Sequence, residues 1–232
     1  MIDMTGIGYE TQGISIPAKG ATLQGDLTIP AGTRGLVLFA HGSGTSRLTP
    51  RNRMVARRLQ AGGFGTLLFD LLTAREEAVD AITRDLRFDI EFLAYRLTTA
   101  TEWLLATPAT RSLRLGYFGA STGAAAALMA AAQRPGRVSA IVSRGGRPDL
   151  AGAYLREVAA PTLLIVGAAD AAVVDLNQQA LARLACRIKE LVIVPGATHL
   201  FEEPGTLEQV AELACRWFAR HLPPRTRDAA RD

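Results

Sequence analysis

Leu113-Arg114-Leu115-Gly116-Tyr117-Phe118-Gly119-Ala120-Ser121-Thr122-Gly123, with the alanine-rich run that follows to Gln133, is the stretch that decides how this chain folds. A short apolar strand runs into a helix, and one serine stands at the corner. The spacing Gly119-x-Ser121-x-Gly123 suits a serine on a strained strand-to-helix turn, because glycines two before and two after remove the Cβ atoms where strand and helix must pass closely. Ala124, Ala125, Ala126 and Ala127 extend the same geometry, since small side chains let a helix lie close against a sheet. Taken alone, the pattern also fits an ordinary helix start capped by Ser or Thr. The residues on either side separate the two readings.

Upstream, residues 1–13 are glycine-rich and without periodicity, a loose lead-in. Ile14-Ser15-Ile16 and Leu23 to Ile29 alternate about the turn Ala18-Lys19-Gly20-Ala21, as an antiparallel edge hairpin does. Leu36 to Ala40 is a continuous apolar run of the kind found in a fully buried strand, and it stops at His41-Gly42-Ser43-Gly44. Pro50 opens a helix to Ala61 with Met54, Val55 and Leu59 on one face, ended by Gly62-Gly63. Phe64 to Phe69 reads as the next buried strand, closed by Asp70. A polar loop with Glu76 and Glu77 follows, then a long amphipathic helix over 84–106.

Downstream, Arg137 to Val142, Thr162 to Val166 and Glu190 to Val194 read as strands, with helices at Leu176 to Leu184 and Leu207 to His221 between and after them. Strand alternating with helix predicts a mostly parallel sheet with helices on both faces, an α/β architecture whose site lies at the carboxyl ends of the strands. One domain over 1–222 and a polar C-terminal tail over 223–232 are expected.

Composition narrows the function classes. Of the 232 residues, 48% are hydrophobic and 21% charged, with no apolar run long enough to span a bilayer and no signal segment, so a cytoplasmic protein without a membrane partner is expected. The net charge of +4 is spread along the chain apart from Arg47 to Arg58 and the late Arg225, Arg227 and Arg231, and no reading helix or aromatic-studded basic face appears. No nucleic acid partner is therefore expected. Cys186 and Cys215, both in helical-looking segments, make neither a disulfide framework nor a metal cluster and read as packing residues; no metal or cofactor is expected.

A serine hydroxyl needs a base, and histidine has the pKa for it near neutrality. Three histidines are present. His221 ends the last helix, His41 sits in a Gly-rich turn before the serine, and His199 follows the final strand. The third member must be a carboxylate that fixes the imidazole tautomer. Asp170, after Leu163 to Gly167, fits; Asp175 competes but reads as a helix cap. Two backbone N–H groups must hold the oxyanion, from Thr122 after the nucleophile and from Ser43 in the early loop. His41, Gly42 and Gly44 then shape that loop, with the His41 ring bonded to backbone.

The order Ser121, Asp170, His199, with a His-Gly turn ahead, resembles the α/β-hydrolase fold. Through His41-Gly42-Ser43-Gly44, Gly119 to Gly123, Gly167-Ala168-Ala169-Asp170 and Gly196-Ala197-Thr198-His199 the chain is similar to its dienelactone hydrolase-like branch, over about Ile14 to Leu222. Members proper carry a cysteine nucleophile where Ser121 stands here, so the resemblance implies a serine esterase on a small-molecule ester rather than a dienelactone hydrolase. Acyl transfer, thioester or amide cleavage, or a ligand-binding sensor with a vestigial triad are the alternatives on the same parts. Ser46 to Arg53 together with Ser143 to Arg147 also resemble a subgroup found beside or fused to phosphoribosyltransferase-like domains, although no phosphoribosyl-binding domain is expected within this chain. The segment between Val142 and Thr162 is too short for more than a small helix, so the lid is minimal or absent and the site open. Arg47, Arg51, Arg53, Arg144 and Arg147 are candidate substrate contacts that would favour acyl groups bearing a carboxylate. A monomer or homodimer is expected.

Overall fold

Among the described residues, eight strands form one sheet whose spatial order, numbered along the chain, is 1-2-4-3-5-6-7-8. A computed structural model describes residues 9–223; residues 1–8 of the lead-in and 224–232 of the tail, with Arg225, Arg227 and Arg231, lie outside the described residues. β1 (Thr11–Ala18) and β2 (Ala21–Thr28) make the antiparallel edge hairpin, with Gly20 at φ 74 supplying the left-handed turn between Ala18 and Ala21. β1 buries only Ile16, as an outer strand can. β2 runs antiparallel to β4 (Gly65–Phe69), while β3 (Leu36–Ala40) pairs in parallel with β4 and with β5 (Leu115–Ala120). β6 (Ala140–Arg144), β7 (Thr162–Gly167) and β8 (Lys189–Val194) continue the parallel order. Every residue of β3 to β7 is buried, which explains their unbroken apolar runs: both faces are covered.

α1 (Pro50–Ala61) and α6 (Thr206–His221) cover one face through Val55, Leu59, Val210, Ala214 and Phe218. α3 (Ile90–Ala106) and α4 (Thr122–Gln133) pack on the other through Leu93, Leu97, Leu104 and the α4 alanines, with Ala180 of α5 (Ala171–Arg183) in the same core. All residues of α4 from Thr122 to Ala132 are buried, so it is enclosed all round, and only a nearly side-chain-free helix fits there.

Five expectations change. The segment after β4 is not a loop but α2 (Ala74–Thr83), set by a capping box in which Glu76 N–H donates to Thr73 Oγ1 (3.2 Å) and Thr73 N–H to Glu76 Oε2 (2.7 Å). The long helix accordingly begins at Ile90 rather than near 84. Arg84 ends α2 in a left-handed conformation, and Asp89 accepts from Phe92 N–H (2.9 Å) to start α3. β6 runs later than expected, from Ala140 through Arg144, carrying a charged residue to the sheet's carboxyl end. α5 starts at Ala171, which puts Asp170 at the capping position and leaves Asp175 exposed on the helix, not at its start. Cys186 also lies past the end of α5; both cysteines are free and buried.

Between β6 and β7 stands only a pair of 3-10 turns, Pro148–Glu157, kinked at Gly152. No domain is inserted over the strand ends there.

The glycines of the corner make a sharp contrast with those elsewhere. A Cβ on Gly123 would lie 2.1 Å from the Ala40 carbonyl oxygen, and one on Gly13 of β1 would meet nothing within 4 Å. Gly123→Ala should therefore cost about 1–3 kcal/mol or more by overpacking against rigid backbone, while Gly13→Ala stays within about 1 kcal/mol of the parent. Equal shifts of the two urea-unfolding midpoints would show that strand and helix do not pass as closely as described.

Candidate active site

The site is built where β3, β5, β6, β7 and β8 end. Ser121 has φ 50 and ψ −122, a conformation costing on the order of 1–3 kcal/mol for a residue with a side chain. The surroundings over-determine it: Ser121 N–H donates to the Arg144 carbonyl (3.3 Å), and its own carbonyl accepts from Arg147 N–H (3.1 Å) and Ala124 N–H (3.1 Å). A Cβ on Gly119 would sit 2.5 Å from Ala124 Cα, so both glycines of the corner are required for α4 to turn back over β5.

Asp170 occupies the capping position of α5 but makes no side-chain cap; its Oδ2 instead lies 2.6 Å from His199 Nδ1. A carboxylate only accepts, so Nδ1 carries the proton and Nε2 is the basic nitrogen. The two loops are fastened together by Ala169 N–H on the Ala197 carbonyl and Ala168 N–H on the Val194 carbonyl, both 2.9 Å. Gly167 permits this approach, since its Cβ would be 2.3 Å from Ala197 O. Glu203 holds the histidine loop from the other side, accepting from Thr198 Oγ1 (2.6 Å) and Thr198 N–H (3.1 Å). No hydrogen bond joins Ser121 Oγ to His199 Nε2 among the described residues; such contacts commonly tighten only when substrate is seated.

Ser43 and Thr122 are brought together, their hydroxyls 3.0 Å apart. Among the described residues neither backbone N–H has a protein acceptor, which leaves two donors free at the Ser121 corner. The loop carrying Ser43 is pinned through His41: its Nδ1 donates to the Gly42 carbonyl and its Nε2 accepts from Leu71 N–H, both 3.0 Å. That pair of bonds requires a neutral ring. Burial pushes His41 below the ordinary histidine value, against the pull of the Gly42 carbonyl and of Asp70 and Glu77. Gly42 packs against the corner, where a Cβ would stand 3.0 Å from Ser121 Cβ, and Gly44 takes a left-handed φ of 66.

The five arginines separate. Arg47 is bound to Asp70 by its guanidinium and by its N–H (2.8 Å), and Arg53 reaches Asp26 at 3.3 Å. Arg147 makes a two-pronged pair with Asp149 at 2.9 and 2.8 Å. These three are neutralised within the fold. Arg51 pairs with the exposed Glu202 at 2.8 Å. Arg144 alone is buried, 7% exposed, with its guanidinium over the Phe201 ring at 5.9 Å and no carboxylate at ion-pair distance among the described residues.

Beside the Ser43 and Thr122 amides lies a small recess of about 20 Å³, with Ser43, Thr122, Leu71, Leu72 and Leu93 in its lining. Asp80 of α2 and Arg87 wall it, joined at 2.6 Å. Sequence reading missed this wall, though the Thr73-x-x-Glu76 spacing carried the signal for α2. It also missed Asn177, buried in α5, whose amide donates to the Gly146 carbonyl (3.0 Å) and so braces the loop behind Ser121; no local pattern marks that role. Among the described residues no group of three or more His, Cys, Asp or Glu could hold a metal ion, and no helix is long and apolar enough to cross a membrane.

Comparison with known proteins agrees with this fold. The sequence pattern of the Dienelactone hydrolase family matches residues 24–222. The crystal structure of a dienelactone hydrolase from Anabaena variabilis superposes with a TM-score of 0.90 at 56% identity, over 92% of this chain and 99% of that one. The Pyrococcus furiosus esterase Pf2001, at 18% identity and a TM-score of 0.76 over 92% of each chain, shares the fold. A Mycobacterium tuberculosis protein with the provisional name of a phosphoribosyl transferase is 58% identical over 209 residues; these are 90% of this chain but 46% of that protein, so the chain spans about half its length.

The neutral His41 ring gives a pH dependence. A histidine with a depressed folded pKa contributes stability that is present above its unfolded value, near 6.5, and is lost as pH falls toward the folded one. Wild type should therefore lose more unfolding free energy between pH 7.5 and pH 5 than His41→Gln, which cannot titrate there. Parallel pH profiles for the two proteins would show that His41 is not held neutral.

Proposed function

The chain belongs to the dienelactone hydrolase family of α/β hydrolases, and from that premise we propose that it is a serine carboxyl-ester hydrolase working through an acyl-enzyme. One observation supports the reading: Ser121 is held in a left-handed backbone at the end of β5, next to the unengaged Thr122 amide, while the Asp170–His199 bond closes at the same, carboxyl, ends of β7 and β8. In the first half-reaction His199 Nε2 takes the Ser121 proton as Oγ attacks the ester carbonyl carbon. Charge gathers on the carbonyl oxygen, where the Thr122 and Ser43 N–H groups stabilise it. His199 then returns the proton to the departing alcohol. Water, deprotonated by the same nitrogen, attacks the acyl-enzyme and frees Ser121. Asp170 holds the imidazole by its Nδ1–H and stabilises the imidazolium. Neither cofactor nor metal is needed.

Acyl size follows from the recess. Leu71, Leu72 and Leu93 give it apolar walls, but at about 20 Å³ and closed by the Asp80–Arg87 pair it has no room for a long chain, which must run into water. With Arg47, Arg53 and Arg147 already paired, their charge acts weakly on substrate. The phosphoribosyl transferase name belongs to proteins of which this chain matches about half, and supports no reading of this site by itself.

Two outcomes test the reading. Ser121→Ala should lower hydrolysis of p-nitrophenyl butyrate by on the order of 10⁴–10⁶ and abolish labelling by a fluorophosphonate probe; a variant as active as the parent would remove Ser121 from the chemistry. Butyryl esters should turn over faster than palmitoyl esters, and the reverse order would show that the recess does not receive the acyl chain.

A further inference from the structure

α1 turns two stripes toward the sheet, and only one of them is apolar. Val55 and Leu59 pack into the core, while Arg53, Arg57 and Gln60, at helical spacing beside them, stand over the outer strand β2. The sheet below is polar by its own periodicity. Leu23 and Leu27 of β2 and Ile16 of β1 point into the opposite core, so Asp26 and Thr28 of β2 and Thr11 of β1 face α1. Register sets Thr11 opposite Thr28, and Thr28 opposite Thr66 of β4, which puts a row of three hydroxyls across three strands. Thr28 and Thr66 are both buried, on a face that α1 and α6 otherwise cover with hydrocarbon.

Helix and hairpin do not close on one another. Ala56 and Ala61 are too small to fill the gap, and a cavity of about 440 Å³ remains between α1 and β2, within the roughly 300–1,000 Å³ of ordinary small-ligand sites. Its polar lining is arranged but not saturated. Thr11 Oγ1 and Thr28 Oγ1 share one hydrogen bond of 2.8 Å, and Gln60 Nε2 donates to Thr66 Oγ1 at 2.7 Å. Gln60 is 9% exposed, yet its Oε1 accepts nothing among the described residues, and each hydroxyl of the Thr11–Thr28 pair keeps capacity for a further bond. Asp26 meets Arg53 only at 3.3 Å and Arg47 at 3.5 Å, so its carboxylate is balanced in charge without being filled as an acceptor. Tyr9 and Leu68 add apolar surface beside these groups.

We infer that the cavity between α1 and the β1–β2 hairpin is a binding site for a neutral polyhydroxylated ligand, a sugar in ring form. Neighbouring sugar hydroxyls both donate and accept, and the lining asks for both: Gln60 Oε1 and Asp26 take protons, Arg53 gives them, and the threonine hydroxyls do either. The C–H face of the ring lies against Leu68 and Tyr9. An apolar ligand would bury Gln60 Oε1 and the hydroxyls without partners. An anion gains little, because Asp26 is part of the lining and Arg57 stands exposed at the rim, where water screens it. The site is separate from Ser121: β3 lies between β4 and β5, and Thr66 is near the amino end of β4, whereas Ser121 follows the carboxyl end of β5. It does not rest on the esterase reading.

Titrating the full chain by two-dimensional NMR with glucose, ribose, glucose 6-phosphate and cyclohexanol tests the site. At least one of the two neutral sugars should bind saturably with Kd on the order of 1 mM, as the efficiency of small ligands gives for a molecule of this size. The amide shifts should centre on Thr11, Thr28 and Gln60 and leave Ser121 unmoved, and cyclohexanol, a ring with a single hydroxyl, should bind at least tenfold more weakly. Gln60→Leu and Thr28→Val should each weaken the sugar by roughly threefold to tenfold, the range for one neutral hydrogen bond, while Thr28→Ser, which keeps the hydroxyl, retains it. Should the buried variants fold poorly, Ala61→Trp decides alone: Ala61 lines the cavity from an exposed position, and the indole should block entry with the floor intact. Any of four results overturns the site: no saturable binding of either neutral sugar, cyclohexanol binding as well as glucose, binding of glucose 6-phosphate alone, or sugar binding undisturbed by Ala61→Trp.

Discussion

The backbone of Ser121, at φ 50 and ψ −122, is the constraint on which the other parts of the site depend. A serine in an ordinary helix start would point its hydroxyl along the helix and hide it; the left-handed turn lifts it clear of the sheet. The turn persists because the chain cannot relax on any side. Gly119 and Gly123 admit the α4 backbone within contact of β5 and β3, the buried alanines keep it there, and the Arg144–Arg147 loop bonds both the amide and the carbonyl of the serine. Asn177 secures that loop from α5. Small residues in α4 and polar bonds behind the corner thus answer one steric demand.

The paired carboxylate and imidazole obey a separate logic. Asp170 and His199 come from loops after neighbouring strands, and the absence of a Cβ at Gly167 lets one loop rest directly on the other. Their mutual distance is a property of β7 and β8 pairing, whereas the distance of either to Ser121 depends on how that pair sits against β6. The Asp170–His199 contact is closed and the His199–Ser121 contact is open, as two independently built halves allow.

Much of this was legible because it is local. The hairpin, the buried strands and α1 follow from alternation, apolar runs and Pro50, and the order of residues after the strands exposes Ser121, Asp170 and His199 as candidates. What was missed depends on tertiary contacts or on weak patterns. α2 reads as a loop because its larger apolar residues, Val79 and Ile82, are 53% and 85% exposed and trace no inward stripe. Asp175 looked like a cap because nothing in sequence says that α5 begins at Ala171. The difference between Arg144, buried and unpaired, and Arg147, paired two residues from its acid, lies wholly in the fold.

α2 offers the interior only Asp80, and it is tied to its surroundings by that carboxylate's bond to Arg87 and by Glu76 on Arg96 rather than by an apolar seam. A recess wall held this way is a replaceable part. Substitutions along it can reshape the recess without touching either core, so this helix can be redrawn while the corner at Ser121 stays unchanged.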